Sequence, residues 1–445
     1  MIFVIIHVMK QNKTVFQIVV GVFFALMLII GFVLFATYKP SSKKNKEFVG
    51  DVTIWGTMDE NIVNLLLKDV RERDDRFKKV SYVEKSKVTY NQDILEALAA
   101  QQSPDLILLS NDDFLKNRNK IFTIPSENIS KREYYNSYAD AFSIYVSEGG
   151  VLGVPFVIDP MVMYYNKNMF SSNRVVLPPK YWEDFENPQG ITTKIRVLDN
   201  GGNILKTAIS FGESSNIKNF KEILYTLFFQ FNNSIIKEGK NVYVSDSEGF
   251  GTSSDIIKFY TQFSNQSNKI TYSWNRSLIN SEESFLSENL ATYFGFSSEI
   301  KKIRLKNPNL NFDIAEIPSF KKSTKKTVYA KTWVMSIPKG SSNKGGALQV
   351  ALKFASEDVQ KILTEKIYLP PVRKNMLNES HDDLFMDIFY KEAVYAMSLL
   401  DPSPKEMNVL FSEYITNVST GLRQPGDATR ILSGEIENLL KRFSF

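Results

Sequence analysis

Val15–Tyr38, VFQIVVGVFFALMLIIGFVLFATY, runs for 24 residues with Gln17 as its only strongly polar member. As a helix rising 1.5 Å per residue it reaches roughly 36 Å, enough to cross ~30 Å of hydrocarbon with some tilt. A cleavable signal peptide has an apolar stretch of only ~7–15 residues and a small-x-small cleavage site. This run is longer, and LFATYKP offers no such site. The expectation is an uncleaved transmembrane anchor at 15–38, with a tail at 1–14 and a polar tether at 39–49. Met9, followed by KQNK, makes the more typical start, which leaves residues 1–8 as a translational extension.

Charge divides the chain at the same place. Residues 1–46 hold six lysines (Lys10, Lys13, Lys39, Lys43, Lys44, Lys46) and no acid. Removing them from the 54 basic residues leaves 48 against 49 acids, a nearly neutral body. Nucleic acid is therefore not an expected partner, since phosphate binding needs a basic surface. Lysines flank the run on both sides, and the positive-inside rule read literally puts the body in the cytoplasm. Charge alone does not set the topology.

The chain has no cysteine and only two histidines, His7 and His381. Disulfides, thiolate metal sites and cysteine nucleophiles are excluded, as is a lipid-modified cysteine anchor. A Ser-His-Asp triad or a histidine metal site would have to use His381, in the polar stretch NESHDDLF, which reads as a solvated histidine at a loop or helix start. Neither cofactor nor metal is expected, and enzyme chemistry is disfavoured, although spacing alone does not exclude a carboxylate pair.

At 445 residues the chain is too long for one ordinary core. DVTIW is a short β-branched run, followed by GTMDENIVNLLLKDVRER with apolar residues at helical spacing and Asp59 as a plausible N-cap. KKVSYVEK and NQDILEALAAQQ repeat the pattern, with a cap near Asn91, and PDLILL is an apolar strand of the kind covered on both faces. This alternation predicts a doubly wound, mostly parallel α/β sheet, with ligands beyond the carboxyl ends of its strands, at Trp55–Asp59 and Ser110–Phe114.

SPDLILLSNDDF, then GVPFVIDPMVMYYNKNMF, then PPKYWEDF resemble in order the motifs of the family-1 extracellular solute-binding proteins, the capture subunits of ABC importers that include the maltose-type sugar binders. AISFGESSNIKNFKEILYTLFFQF, SFLSENLATYFGFSSEI, NFDIAEIP and KTWVMSIPKGSSNKGGALQVALKFASEDVQ, with YLPPVRKNM after it, continue the match across roughly Val52 to Leu440. Glu288 stands where the family usually has glycine. The resemblance implies a type II periplasmic-binding-protein-like fold of two lobes, 50–158 with 288–320 and 159–287 with 328–445, each a doubly wound, mostly parallel sheet. Gly153–Phe170 is then the first crossover between lobes, where Pro155 and Pro160 suit strand ends.

On the same resemblance Asp159 stands at the position of a sugar-contacting acid, and Asp112 matches the acid after the third strand, with helix capping as its plain alternative. Trp333 resembles the aromatic that enters the cleft on a later crossover, and Ser297 follows the FGF element that lines it. Trp55 and Thr57 lie where the strand-end rule puts ligands, and an indole suits stacking on a sugar face. Ser215 and Asn216 precede a helix whose free N–H groups either bind ligand oxygens or are simply capped. Trp274 reads either as a ligand contact or as core. Trp182 reads as packing, and Tyr164 and Tyr165 as core strand residues.

PKGSSNKGG lacks the ending of a phosphate-binding loop, so Ser341–Asn343 cap a helix. QPGDATRILSGEIENLLKRF reads as an amphipathic helix on the outside of the second lobe. The function implied is capture of a small solute, foremost a sugar or oligosaccharide, between hinged lobes outside the cell, with delivery to ABC permease subunits. The alternative is a two-lobed scaffold or sensor that kept the fold without transport, for which Glu288 leaves room.

Overall fold

The computed structural model describes residues 13–37, 49–231, 235–237, 241–242, 252–323 and 325–443. The chain divides into two units, Met1–Phe48 and Val49–Phe445. Most of the expected tail and tether, 1–12 and 38–48, lies outside the described residues.

Among the described residues the first unit shows one helix, α1 (Lys13–Thr37), with 25 residues and no acid in its first turn. Its described side chains, 16–30, are all exposed. Those 15 residues span roughly 22 Å, and among the described residues alone no helix is long and apolar enough to cross a membrane.

The body opens with the expected alternation: β1 (Val52–Gly56), α2 (Glu60–Arg73), β2 (Val80–Glu84), α3 (Tyr90–Ala99) and β3 (Leu106–Ser110). α2 forms because Val63, Leu66, Leu67 and Val70 fall on one face and are buried. Asp59 caps it as expected, accepting the Asn61 N–H at 2.8 Å. α3 starts at Tyr90, after Thr89 and ahead of the cap expected at Asn91. Tyr90 is drawn into the helix by its own burial, its hydroxyl donating to the carbonyls of Trp55 and Leu108 at 2.8 and 3.0 Å.

β4 (Val154–Asn166) is a 13-residue strand with all but one residue buried, roughly 40 Å of chain. Helices α4 (Phe220–Gln230) and α5 (Ser253–Thr261) follow, then β5 (Thr292–Phe296), β6 (Phe312–Ala315) and β7 (Val328–Ser336). After β7 come α6 (Lys344–Phe354), α7 (Glu357–Ile367), α8 (Leu384–Val394), β8 (Ala396–Met397), α9 (Pro404–Ser419) and α10 (Pro425–Lys441). One eight-stranded sheet runs through the body in the order β5-β4-β7-β3-β1-β2, with β6 also paired to β4 and β8 to β7.

This sheet is mixed, which corrects the expectation of two mostly parallel sheets. β1 pairs parallel with β2 and β3, but β7 is antiparallel to β3 and β4, and β5 and β6 are antiparallel to β4. The βα alternation that forces parallel pairing stops at β3; beyond it the strands arrive from opposite ends through long excursions.

The prolines of β4 mark where its partners change. Pro155 faces Val334 beside the register shift between Trp333 and Val334, and Pro160 faces Ala330 at the end of the β7 pairing. From Met161 onward the partners are β5 and then β6. A residue without an N–H is tolerated where a ladder is interrupted.

The strands within 288–320 pair with the second half of β4. α6 packs on β1 and α7 on α2, beside the first half of the sheet, although both lie within 328–445. β7 spans both halves, pairing with β3 and with β4, and the segment after β8 meets the end of β3 at Asn111.

The second half has an aromatic core. Trp182, 1 % exposed, lies against Phe211 and Phe294 with ring centroids 5.4 and 5.3 Å away. Its indole N–H donates to Gln230 at 2.8 Å. α10 buries Leu432, Ile436, Leu439 and Leu440 against α5 and α9, as its amphipathic pattern predicts. Asn343 caps α6 by accepting the Gly346 N–H at 2.9 Å.

Candidate functional site between the two halves of the sheet

The passes between halves meet at Asn111, which follows β3 and is fully buried. Its N–H donates to the Thr332 carbonyl and its side-chain oxygen accepts the Thr332 N–H, both at 3.0 Å. Its amide nitrogen donates to the Tyr329 hydroxyl and the Leu399 carbonyl, at 2.9 and 3.1 Å. Its carbonyl accepts the Asp401 N–H at 3.2 Å. One side chain thus ties the end of β3 to β7 and to the segment after β8.

Beside this knot lies a cavity of about 680 Å³, walled by Asp112, Ser214, Ser215, the first turn of α4 and one face of α9. Asp112 follows β3 in the first half, while α4 packs on β7 and is tied to β5 by Asn219, which donates to the Phe294 carbonyl at 3.3 Å; α9 packs on α4, α5 and α10. From α9 the wall takes Lys405, Asn408, Val409, Ser412 and Glu413, a polar-rich stripe at helical spacing. A second hollow of about 710 Å³ lies between Arg73, Ser356 and Arg373. It is lined by the end of α2, by α7 and by Arg373, and α7 packs on α2 beside the first half of the sheet.

The charges at the cavity are unevenly matched. Lys221, 3 % exposed, donates to Asp401 at 2.7 Å and lies 3.9 Å from Glu222. Burial works against its charge, yet Asp401, Glu222 and Asp112 outweigh it and hold its pKa above the ordinary lysine value. Asp401 accepts the Ser403 N–H at 2.9 Å as well; burial lifts its carboxyl, and Lys221 opposes that rise. Among the described residues Asp112 accepts one hydrogen bond, from the Asn111 amide at 3.1 Å. Burial, reinforced by Asp401, raises its pKa to about 7, with Lys221 and Lys331 pulling the other way. Its side chain is enclosed by protein yet open to the cavity.

Of the residues singled out in the sequence, Asp112 and Ser215 line this cavity, and the rest stand elsewhere. Asp112 is not a helix cap, a position taken by Asp113. Asp159 is 3 % exposed, and both its oxygens are engaged, by the Ser298 N–H at 3.0 Å and the Ser298 hydroxyl at 2.6 Å. Burial still raises its pKa to about 6. Ser297 is fully buried and donates to the Pro160 carbonyl at 3.1 Å.

Trp274 is also fully buried, its indole donating to Asn216 at 3.0 Å. The Asn216 amide in turn donates to the carbonyls of Asn275 and Leu278, at 2.9 and 2.8 Å. Neither Ser215 nor Asn216 is at a helix start, because α4 begins at Phe220 after Asn219.

Trp333 is half-buried and pairs with Ser110, whereas Trp55 pairs with Ile107. Ser110 and Ile107 differ by an odd number of residues, so the two indoles belong to opposite faces of the sheet. The Trp55 ring is covered by the Lys85 ammonium at 3.7 Å. Thr57 is partly exposed just past β1. Tyr164 is a core residue as read, its hydroxyl donating to Phe296 at 2.7 Å. His381 packs its ring against Tyr390, centroids 4.1 Å apart, and is partly buried.

Lys221, Glu222 and the stripe on α9 were missed. A signal existed in NFKEILYTLFFQF: Lys221 and Glu222 are the only charges in an otherwise apolar helix, and a buried charge is seldom kept without a task.

Glu288, where the resemblance expects glycine, has φ +59°. Glycine suits that left-handed position because it has no Cβ to clash, and another residue costs about 1–2 kcal/mol there. Glu288 recovers part of this by accepting the Asn166 amide at 3.0 Å. The departure has a local account and leaves the fold in place.

A family model described as bacterial extracellular solute-binding protein matches residues 71–387. No curated protein sequence matches the chain. Among solved structures, the cyclic alpha-maltosyl-1,6-maltose binding protein of Arthrobacter globiformis is similar, at 12 % identity and TM-score 0.72, with 88 % of this chain and 99 % of that one covered. The sugar-binding protein MalE of Xanthomonas citri gives 15 % identity, TM-score 0.70 and coverage of 88 % and 98 %. The GacH receptor of Streptomyces glaucescens, solved unliganded and with acarbose, gives 17 % identity, TM-score 0.64 and coverage of 88 % and 99 %. At such identities these likenesses speak to the two-lobed α/β fold, and the family rests on the sequence model, which spans most of the body. The chain belongs to the bacterial extracellular solute-binding proteins.

Proposed function

We propose that this chain is the membrane-tethered capture subunit of an ABC importer and that its solute is a sugar or oligosaccharide. The observation that carries this reading is the cavity beside Asn111. Its walls come from both halves of the sheet, so closure of one half on the other would complete contacts that the open form lacks. A ligand bridging Asp112 to α4 and α9 biases that equilibrium by its preference for the closed state. The structural neighbours described as binding maltose-type sugars, maltotetraose or mannotriose favour carbohydrate.

In this reading the first lobe comprises β1–β3, the start of β4, α6 and α7, and the second the rest of β4, β5, β6, α4, α5, α9 and α10. Asp112 and Ser215 contact ligand, joined by Glu222, Asn408 and Ser412. Asp159, Asn216, Trp274 and Ser297 hold the walls. Trp333 stands near the crossing, and Trp55 and Thr57 at the rim of the first lobe.

The anchor belongs to the same proposal. α1 runs for 25 residues, and its described side chains, 16–30, are exposed and apolar apart from Gln17, as a helix in lipid requires. Capture on behalf of a permease places the body outside the cell. Alkaline carbonate extraction checks the tether: the chain stays with the membrane if α1 spans it and is released if it does not.

The function is tested by a thermal-shift screen of the full chain in nanodiscs against mono- and oligosaccharides. A ligand at a hundred times its dissociation constant adds about 2.7 kcal/mol. A cooperative transition that no sugar moves would count against the carbohydrate reading.

A further inference from the structure

We infer that the solute carries a protonated amino group and that Asp112 receives it. The inference rests on the proposed capture site and deepens it by naming the ligand's charge.

Three acids line the cavity, Asp112, Glu222 and Glu413, and Asp401 adjoins them through Lys221. Two lysines line it with them, the buried Lys221 and the exposed Lys405. The Lys221 ammonium is committed to Asp401 at 2.7 Å, with Glu222 at 3.9 Å. Lys331, at the crossing, lies with its ammonium 4.2 Å from the Phe296 ring centroid. Asp112 is left with one neutral donor, the Asn111 amide, which is shared with Tyr329 and Leu399.

Asp159 supplies the contrast within the same molecule, since Ser298 satisfies both of its oxygens. A carboxylate whose donors the protein provides needs nothing from a ligand. One that opens on the cavity with a single donor, amid other acids, is complementary to a cation. The rest of the wall agrees. Phe220 is its only aromatic side chain, and Ser214, Ser215, Asn408 and Ser412 offer neutral hydrogen bonds. The arrangement fits a hydroxylated ligand bearing one amine, of the amino-sugar class, better than an uncharged sugar held by stacking.

The test compares a β-1,4-linked glucosamine disaccharide with its N-acetylated counterpart, which has the same ring skeleton without the charge. Binding to the full chain in nanodiscs is read by thermal shift and calorimetry. The amino form is expected to bind roughly tenfold more tightly or better, and Asp112→Asn is expected to abolish that preference. Asn matches Asp in shape, and its own cooperative melting transition reports that the variant folds. Glu413→Gln, on the exposed face of α9, gives a second reading through a smaller loss of preference.

Equal affinity of the two forms, or tighter binding of the acetylated one, overturns the amine inference and leaves sugar capture standing. Stabilisation by neutral oligosaccharides alone does the same. Silence toward every sugar, charged or not, contradicts both.

Discussion

Asp159 and Asp112 are two enclosed aspartates near the same crossing, and their surroundings assign them opposite tasks. Asp159 lies inside β4 and ties it to the turn after β5 through two hydrogen bonds from Ser298. Asp112 stands one residue beyond Asn111, at the edge of a cavity, with a single amide donor. Sequence resemblance ranked both as ligand contacts. What separates them is how many donors the fold itself provides, because a satisfied carboxylate stabilises structure and an unsatisfied one awaits a partner.

The comparison is tested most severely at Lys221. Lys221→Met removes the cation from a buried pair and leaves Asp401 uncompensated, with an expected loss of about 3–5 kcal/mol. Urea unfolding measures it, and a loss under 1 kcal/mol would mean that Asp401 needs no cation. Next in size is Asp159→Ala, which strands the Ser298 N–H and hydroxyl and is expected to cost about 1–3 kcal/mol. Asp112→Asn should change stability far less, because the fold gives that carboxyl a single hydrogen bond; a greater loss there than in Asp159→Ala would invert the assignment.

A pH series sharpens the contrast. Burial raises Asp112 and Glu392 to about 7 and Asp159 to about 6. The folded chain therefore holds protons that the unfolded chain releases at lower pH, so these groups favour folding at the acid end and withdraw that contribution as pH rises. The melting temperature is expected to fall between pH 5 and 8, the slope near 7 flattening in Asp112→Asn. A rise over that window would break the account. The smallest effect belongs to Glu288→Gly: relief of the left-handed strain and loss of the Asn166 contact nearly cancel, and stability should move by less than about 1 kcal/mol. A loss of 2 kcal/mol or more would show the contact to matter more than the backbone.

The fold was legible where periodicity is local. β1 through β3 and their helices follow from alternation and spacing, and Asp59 caps α2 as its position suggests. The mixed sheet was not legible, because antiparallel pairing beyond β3 depends on contacts between residues more than a hundred positions apart, such as Tyr165 with Thr292. The candidate site was read in part for a similar reason. Type and position put Asp112 and Ser215 among the candidates, and both line the cavity, but they do not tell whether Asp159, Asn216 and Trp274 find partners within the protein. Trp274 and Asn216 satisfy one another across 58 residues, which no local pattern reveals.

The most direct test of the division between the two aspartates is calorimetric titration of Asp112→Ala and Asp159→Asn with whichever sugar most stabilises the unaltered chain. The account predicts that Asp112→Ala weakens binding tenfold or more, roughly 1.4 kcal/mol or above, with its melting temperature nearly kept. Asp159→Asn should lower the melting temperature and leave affinity within about threefold. Affinity lost in Asp159→Asn and retained in Asp112→Ala would contradict it.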